Sequence, residues 1–206
     1  MPHRTSEGAL MIEQGTPEWH EARRGNLTAS RIHDALYGTP AAIEAVKMEL
    51  ILERLGCESN NFQNEAMQWG VEKENEARMA YEAHTGHFVE QVGYVPHPTI
   101  KNAGCSPDGL VNEEGLIEIK CPISKTHLKT LLTKEIDKKY ISQMYWQMAC
   151  TKRKWCHFVS YDPRLNERNR LFIENVKYNK NRINSMELKA IEFLKEVEEI
   201  YNKLTG

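Results

Sequence analysis

The segment Ser106–Pro122 reads SPDGLVNEEGLIEIKCP and lies in the middle of the 206-residue chain. Its apolar residues lie on both sides of the predicted turn NEEG, Asn112–Gly115, and this pattern predicts a β-hairpin. Side chains alternate between the faces of a strand, so Glu118 and Lys120 are expected on one face and Ile119 on the other. A return strand that starts at Asp108 would bring its carboxylate next to Glu118.

Two acids and one base on a hairpin face are the groups that a hydrolytic metal site requires. Adjacent carboxylates repel each other, and a hard divalent cation with oxygen ligands relieves that repulsion. Water bound to such a cation is a good nucleophile for a phosphodiester when Lys120 orients it or takes its proton. The alternative is an exposed Glu118–Lys120 ion pair, worth at most ~1 kcal/mol.

The composition is that of a globular protein, with 40% hydrophobic and 27% charged residues. No apolar run approaches the ~20 residues that span a bilayer, and the N-terminus lacks the apolar core of a secretory signal. Met11 is a candidate start, with residues 1–10 as a leader. The five cysteines form no CxxC pair, which predicts a cytoplasmic protein whose thiols stay free in a reducing environment.

The net charge of −2 hides a basic middle segment. Residues 121–182 hold 14 Lys and Arg against 5 Asp and Glu, whereas residues 1–120 hold 10 against 19. This excess suits a polyanion such as DNA, whose phosphates supply most of the sequence-independent affinity. A set of solvated helix faces would give the same composition.

Apolar periodicity predicts a single α/β domain over residues 1–206, with a central mixed sheet flanked by helices. Thr16 is predicted to cap a first short helix, and Thr28 or Ser30 a second that stops at Gly38. Longer helices are predicted at 41–55, 64–86, 124–132, 140–150 and 182–204. Strands are predicted at 88–95, 102–111, 115–121, 154–162 and 170–176.

Five motifs occur in an order that carries a family resemblance. They are WHEARRGNLTAS, WGVEKENEAR, the PDG and EIK of the hairpin, YISQMYWQMACT and FVSYDPR. Over about residues 14–170 this set resembles the bacteriophage lambda exonuclease family of alkaline exonucleases, in the PD-(D/E)xK nuclease superfamily. The resemblance implies a restriction-endonuclease-like core. It also implies a Mg²⁺-dependent 5′-to-3′ double-strand DNA exonuclease that releases 5′-mononucleotides and leaves 3′ single strands for recombination by single-strand annealing.

The resemblance also implies roles for the hairpin residues. Asp108 and Glu118 would be metal-binding catalytic residues, and Lys120 would position the attacking water. The carbonyl oxygen of Ile119 would be a backbone ligand. The family uses two Mg²⁺ ions per site, which Mn²⁺ can replace, and Glu74 is similar to the helix glutamate that helps to hold the second ion. Helix periodicity by itself does not distinguish Glu74 from the other glutamates of ENEAR and its surroundings.

A second group of residues resembles the family's pocket for the 5′-phosphate of the degraded strand. Its members are Arg23, Thr28, Ser30 and Gln143. The WxxxRxG spacing selects Arg23 over the adjacent Arg24, and a helix start near Thr28 would add N–H donors. The plainer alternatives are simple helix capping by Thr28 or Ser30 and a polar helix edge at Gln143, one turn before Gln147.

The resemblance further implies double-stranded DNA ends as substrate, a ring-shaped homotrimer and a single-strand annealing protein as partner. Three alternatives are a PD-(D/E)xK endonuclease, an iron–sulfur recombination nuclease and a non-catalytic DNA-binding recombination accessory. An iron–sulfur cluster needs four cysteines around it, and the cysteines here are scattered. The presence of Asp108, Glu118 and Lys120 argues against a non-catalytic accessory.

Overall fold

The elements of the computed structural model, which describes residues 12–57 and 65–206, follow the apolar periodicity of the sequence. The helices are α1 (Pro17–Arg23), α2 (Ile32–Tyr37), α3 (Pro40–Arg54), α4 (Glu65–Thr85), α5 (Ser124–Thr133), α6 (Lys138–Thr151) and α7 (Lys180–Thr205). The strands are β1 (Leu27–Thr28), β2 (Val89–Glu90), β3 (Val95–Pro96), β4 (Ala103–Cys105), β5 (Gly109–Val111), β6 (Gly115–Lys120), β7 (Trp155–Tyr161) and β8 (Leu171–Lys177). None of the described helices combines the length and the apolar content needed to cross a membrane. The proposed leader, residues 1–10, lies outside the described residues.

The predicted hairpin forms the middle of a five-stranded mixed sheet with strand order β2-β5-β6-β7-β8. Within the hairpin, β5 and β6 are antiparallel and Gly109 lies opposite Ile117. β6 pairs in parallel with β7, which places Lys120 opposite Ser160, and the other pairs are antiparallel. A second sheet of three strands has the order β1-β4-β3. The single central sheet expected from the sequence is therefore two sheets, both mixed.

Two predicted strands are each divided between these sheets. The strand predicted at 88–95 is β2 in one sheet and β3 in the other, and the strand predicted at 102–111 is β4 and β5. Both divisions occur where the side-chain amide of Gln14 donates to a backbone carbonyl, at 2.7 Å to Val92 and 2.8 Å to Pro107. A distant side chain thus replaces the ladder hydrogen bonds that continuous strands would have made.

The expected cap of α2 is wrong. Thr28 lies in β1, α2 begins at Ile32, and the N-cap position is Arg31 without a side-chain cap. The Arg31 N–H donates to the Thr28 carbonyl at 3.0 Å, so a backbone turn separates the strand from the helix. The Thr16 cap of α1 is confirmed, since its hydroxyl accepts from the Trp19 N–H at 3.3 Å.

Helices cover both faces of the five-stranded sheet, and this decides where the polar hairpin residues lie. On one face, Ile117 and Ile119 pack with Tyr81 of α4. On the other face, Leu116 packs with Trp146 of α6 in the larger core cluster. Because side chains alternate along β6, Glu118 and Lys120 share the face of Leu116 and meet α6.

Polar contacts tie the first half of α4 to the end of β7. The Tyr161 hydroxyl donates to Glu76 at 2.9 Å. Beyond the strand, the fully buried carboxylate of Asp162 accepts from the Arg164 guanidinium at 2.7 and 3.1 Å. Arg164 in turn lies 4.5 Å above the ring of Trp69. This chain of contacts fixes α4 against the sheet.

Candidate active site

The carboxylate of Asp108 is positioned by the end of the hairpin ladder. Asp108 immediately precedes β5, and its Oδ2 accepts the backbone N–H of Ile119 at 2.6 Å. Burial raises the pKa of Asp108 well above its usual range, and the negative charge of Glu118 raises it further. The two carboxylates therefore interact electrostatically, as the sequence analysis expects of neighbours on one hairpin.

Glu118 is fully buried and is surrounded by hydrogen-bond donors. Its Oε1 accepts from Lys120 Nζ at 2.5 Å and from Gln143 Nε2 at 2.7 Å, and its Oε2 accepts from Gln147 Nε2 at 2.6 Å. A buried charge is stable only when it is paired and hydrogen-bonded, and these three donors meet that need. The alternative of an exposed Glu118–Lys120 pair is therefore wrong.

The surroundings of Lys120 favour its protonated form. Burial would lower the pKa of its ammonium group, but the charges of Glu118 and Asp108 outweigh burial and raise it. The ammonium also lies 5.1 Å above the ring of Tyr140. Of the two roles that the sequence leaves open, orienting water suits these surroundings better than removing a proton.

The structure distinguishes Glu74 from the neighbouring glutamates of α4. Glu74 is partly buried and bonds Arg78 at 3.0 Å, and burial raises its pKa, with a further upward contribution from the charge of Glu118. Glu72 is exposed, and the exposed Glu76 is engaged by Tyr161. Of these three glutamates, Glu74 is the one whose charge affects the pKa of Asp108.

The backbone of Ile119 points to the same edge as Asp108. The N–H and C=O groups of a strand residue project to one side, and the Ile119 N–H is directed at Asp108. Its carbonyl oxygen therefore projects to the side of Asp108, and its role as a metal ligand stays a prediction.

The donor set fits hard divalent cations, although it is not arranged as a finished metal site. Asp108, Glu74 and Glu118 supply oxygen donors, and burial raises the pKa values of the first two, so a nearby cation would favour their ionised forms. The buried carbonyl oxygen of Gln147 has no described hydrogen-bond partner, which leaves an acceptor beside Glu118. Within residues 12–57 and 65–206, no three His, Cys, Asp or Glu side chains are grouped closely enough to hold a metal. Glu118 is held by its three donors, but its Oε2 accepts one described hydrogen bond and so keeps a lone pair for a cation.

Arg23 lies next to the hairpin rather than in isolation. Its Nη1 donates to the Ser106 hydroxyl at 2.9 Å, and Trp19 Nε1 donates to the same oxygen at 3.0 Å. The guanidinium stacks 4.1 Å from the Trp19 ring. Burial, together with the charge of Arg31, lowers the pKa of Arg23 to about 10, which leaves it a cation at neutral pH. Its role toward a 5′-phosphate stays a prediction.

Thr28 lies in the three-stranded sheet, next to the strand that leads to Ser106, and Ser30 lies in the turn that follows Thr28. Thr28 is buried opposite Gly104 of β4, and its hydroxyl is 3.2 Å from that of the exposed Ser30. Neither residue caps α2, so the N–H groups at the start of that helix do not support a phosphate pocket at Thr28 and Ser30. Gln143, the fourth member, points at Glu118 and joins the two groups of predicted residues.

Sequence reasoning missed two residues of the site. Ser106 is the shared acceptor of Trp19 and Arg23, and its place just before Pro107 and Asp108 was an available signal. Gln147 is fully buried and bonds Glu118. Its spacing of four from Gln143 places both on one helix face, but only the docking of α6 shows that the shared target is Glu118.

The cysteines do not provide the ligands of an iron–sulfur cluster. Cys57 is exposed, the other four lie buried in β4, just after β6, in α6 and in β7, and all five are free thiols. No grouping of three potential ligands occurs in the described part of the chain. The iron–sulfur alternative therefore lacks the arrangement that it needs.

Comparison with known proteins agrees with this geometry. Residues 18–154 match the YqaJ-like viral recombinase domain family. An alkaline exonuclease (LHK-Exo) from Laribacter hongkongensis shares 43% identity and a TM-score of 0.88, over 92% of this chain and 96% of that chain. LHK-Exo in complex with dAMP gives 44% identity over the same shares. A phage related exonuclease from Haemophilus somnus 129PT shares the fold, with a TM-score of 0.70 over 87% of this chain and 95% of that chain at 13% identity. No curated protein sequence matches significantly.

The mixed α/β fold and the Asp108–Glu118–Lys120 hairpin define a nuclease of the PD-(D/E)xK class. The chain belongs to the YqaJ-like viral recombinase domain family. The resemblance to the lambda exonuclease family, first read from five motifs, is confirmed by the similarity to LHK-Exo.

Proposed function

We propose that this protein is a Mg²⁺-dependent exonuclease that degrades double-stranded DNA from its 5′ ends. It would release 5′-mononucleotides and leave 3′ single strands for recombination by single-strand annealing. The observation that carries the proposal is the convergence of Asp108, Glu118 and Lys120 at one end of the hairpin. The relative from Laribacter hongkongensis supports the product class, since it forms a complex with dAMP, a deoxynucleoside monophosphate.

The chain's own residues have separable tasks in this reaction. Asp108, Glu118, Glu74 and the Ile119 carbonyl would hold two Mg²⁺ ions, for which Mn²⁺ can substitute. Bound ions of this kind lower the pKa of water and neutralise charge that develops on phosphoryl oxygens. The protonated Lys120 donates hydrogen bonds that orient the attacking water toward phosphorus. The raised pKa of Lys120 supports this role, in which its ammonium would stabilise negative charge in the transition state.

Polarity would come from recognition of the strand's 5′-phosphate. Arg23 offers a planar set of N–H donors, one of which already bonds Ser106 two residues before Asp108. Ser30 and Gln143 would add neutral donors. A phosphate held here lies beside the hairpin carboxylates, which is where the terminal phosphodiester must be cut.

The proposal includes an assembly and a partner, both from the lambda exonuclease resemblance. A ring-shaped homotrimer would thread the duplex and support processive action. A single-strand annealing protein would receive the 3′ strand. Sedimentation of the purified protein at several concentrations tests the trimer independently of activity.

Digestion of a linear duplex labelled at either end tests the proposed activity. We expect loss of the 5′ label as mononucleotide, a requirement for Mg²⁺, and no turnover after alanine replacement of Asp108, Glu118 or Lys120. Circular dichroism of each variant checks that it is folded. Cleavage of covalently closed circles would indicate an endonuclease instead, and a folded Lys120→Ala variant with wild-type turnover would show that the mechanism is wrong.

A further inference from the structure

Two glutamines on α6 bind the two oxygens of the same buried carboxylate. Gln143 Nε2 donates to Glu118 Oε1 at 2.7 Å, and Gln147 Nε2 donates to Glu118 Oε2 at 2.6 Å. Residues four apart lie above one another on a helix, so α6 presents both amides to Glu118 together. The two donors therefore define the plane in which the carboxylate lies.

The two glutamines differ in burial and in whether another donor shares their oxygen of Glu118. Gln147 is fully buried and is the one described donor to Oε2. Gln143 is partly exposed and shares Oε1 with Lys120, which lies at 2.5 Å. The loss of Gln143 would leave Lys120 on Oε1, whereas the loss of Gln147 would leave Oε2 without a described donor.

Gln147 occupies a site where packing alone favours an apolar side chain. Its neighbours on α6, Met144 and Met148, are both fully buried. The Gln147 carbonyl oxygen is buried without a described hydrogen-bond partner, and an unsatisfied buried polar atom costs about 1–3 kcal/mol. An amide at this position thus carries a cost in stability that a methionine would avoid. Its contact with Glu118 is what it provides in return.

We propose that Gln147 is a positioning residue that fixes the orientation of Glu118 toward a divalent cation. The inference rests on the proposed function, in which Glu118 is a metal ligand. A glutamate has three side-chain torsions, and the Gln147 bond to Oε2 restricts the rotation of the Glu118 carboxylate. Partners that orient a ligand in this way typically change metal affinity about 10- to 100-fold when they are removed.

Calorimetric titration with Mn²⁺ in the absence of DNA tests this role without any dependence on turnover. Gln147→Met keeps the side-chain length and removes the N–H donor, and it should weaken Mn²⁺ binding about 10- to 100-fold. Gln143→Met, the same change one turn earlier, should cause a smaller loss because Lys120 still holds Oε1. Met148→Leu is the packing control on the same helix and should bind Mn²⁺ like the wild type.

The possible results separate this inference from the proposed function. If the wild type binds no Mn²⁺ or Mg²⁺, the proposed function fails and the inference fails with it. If the wild type binds and Gln147→Met binds equally well, or if Gln143→Met loses as much affinity, the role of Gln147 is overturned alone. An equal loss in Met148→Leu would show that core packing controls affinity. Should Gln147→Met not fold, Gln147→Asn keeps an amide that is too short to reach, and it must show the same loss.

Discussion

Asp108 is a carboxylate whose surroundings favour its neutral form. Burial and the charge of Glu118 raise its pKa well above the usual range, although the Ile119 N–H partly compensates. In the proposed function the charge of Asp108 serves once a cation is bound, but it destabilises the metal-free fold. Residues that bind ligands or perform catalysis commonly sacrifice stability in this way.

Asp108→Asn should abolish hydrolysis and raise the melting temperature of the metal-free protein at pH 8. The folded-state pKa of Asp108 lies above the unfolded value of about 3.9. The folded protein therefore binds the extra proton, and stability falls as the pH rises from about 4 through the folded-state pKa. Asparagine removes this penalty, and its amide oxygen can still accept the Ile119 N–H. For a chain of this size, each ~1 kcal/mol gained raises the Tm by about 2–4 °C.

Calorimetry in EDTA and then in Mg²⁺ measures the Tm of the wild type and of Asp108→Asn without and with the metal. Ligand binding stabilises only a protein that binds the ligand, so Mg²⁺ should raise the Tm of the wild type and not of Asp108→Asn. A lower Tm for the variant than for the wild type in EDTA would contradict the claim that ionised Asp108 destabilises the metal-free fold.

Arg23→Ala should remove the preference for 5′-phosphorylated over 5′-hydroxyl ends. A lost charge-assisted hydrogen bond corresponds to about a ten- to hundred-fold change in the ratio of initial rates on the two ends. Ser30→Ala and Gln143→Ala should act in the same direction but more weakly, because both residues are neutral. The measurement is that rate ratio for each variant and the wild type.

The packing of Arg23 against Trp19 provides a competing forecast. If this contact is the whole role of Arg23, both kinds of end should be cut more slowly to the same extent and the Tm should fall. Arg24→Ala is the matched control, since Arg24 bonds Glu21 at 2.8 Å on the helix surface. If the preference for 5′-phosphorylated ends disappears in the Arg24 variant instead, Arg24 and not Arg23 is the residue that binds the 5′-phosphate.

At the scale of elements, the Asp162–Arg164 pair connects the end of β7 to α4. Arg164→Ala leaves the fully buried Asp162 without its guanidinium partner. Loss of a hydrogen bond to a charged group costs about 1.5–3 kcal/mol. We expect a matching decrease in the free energy of unfolding, measured by urea denaturation at pH 7.

A surface ion pair nearby is the control for this prediction. Arg170 lies 3.5 Å from Glu167, whose side chain is 90% exposed, so Arg170→Ala should cost at most about 1 kcal/mol. The Arg164–Asp162 bonds also lower the pKa of Asp162 against the effect of burial. The stability from this pair is present above the unfolded pKa of about 3.9 and is lost as the pH falls through the folded-state value. Equal effects of the two variants at pH 7 would show that the buried pair has no special weight.

The helices and the hairpin were predictable because their patterns are local. A 3.6-residue period defines α3 to α7. The alternation of side chains along a strand places Ile119 and Glu118 on opposite faces of the sheet. The division of two strands was not predictable, because it depends on Gln14, whose contacts lie 78 and 93 residues away. Gln147 escaped notice for the same reason, since its partner Glu118 is 29 residues away.

The false cap of α2 has a different cause. Thr28 and Ser30 have the chemistry of capping residues, but Thr28 pairs in parallel with β4 through Leu27–Thr28. Tertiary pairing of the backbone therefore overrode a local preference.

At the scale of the whole molecule, charge should control DNA affinity. The basic segment 121–182 includes Lys139, which lies 4.9 Å above Tyr140, while the ammonium of Lys120 lies 5.1 Å above the same ring. Positive charge from this segment thus reaches the active site. With the inactive Asp108→Asn variant, the logarithm of the binding constant should fall with the logarithm of salt concentration, by about 0.9 per phosphate contacted.

Lys139→Ala in the same background should reduce that slope by about 0.9 if the side chain neutralises one phosphate. Lys195→Ala is the control, because Lys195 is 76% exposed on α7, outside the basic segment. Filter binding over a series of salt concentrations provides both slopes. An affinity that does not respond to salt would mean that the basic segment is only a solvated surface.

The parallel pairing of β6 with β7 sets the moment in protein synthesis at which the nuclease can become active. Parallel strands need a long crossover, and here residues 121–154 supply it as α5 and α6. A chain on the ribosome that has reached Lys120 already contains Asp108 and Glu118, but it lacks both glutamines and the neighbouring strand. The unfinished polypeptide therefore lacks part of the candidate site, which can be completed only after the sheet has received its later strands.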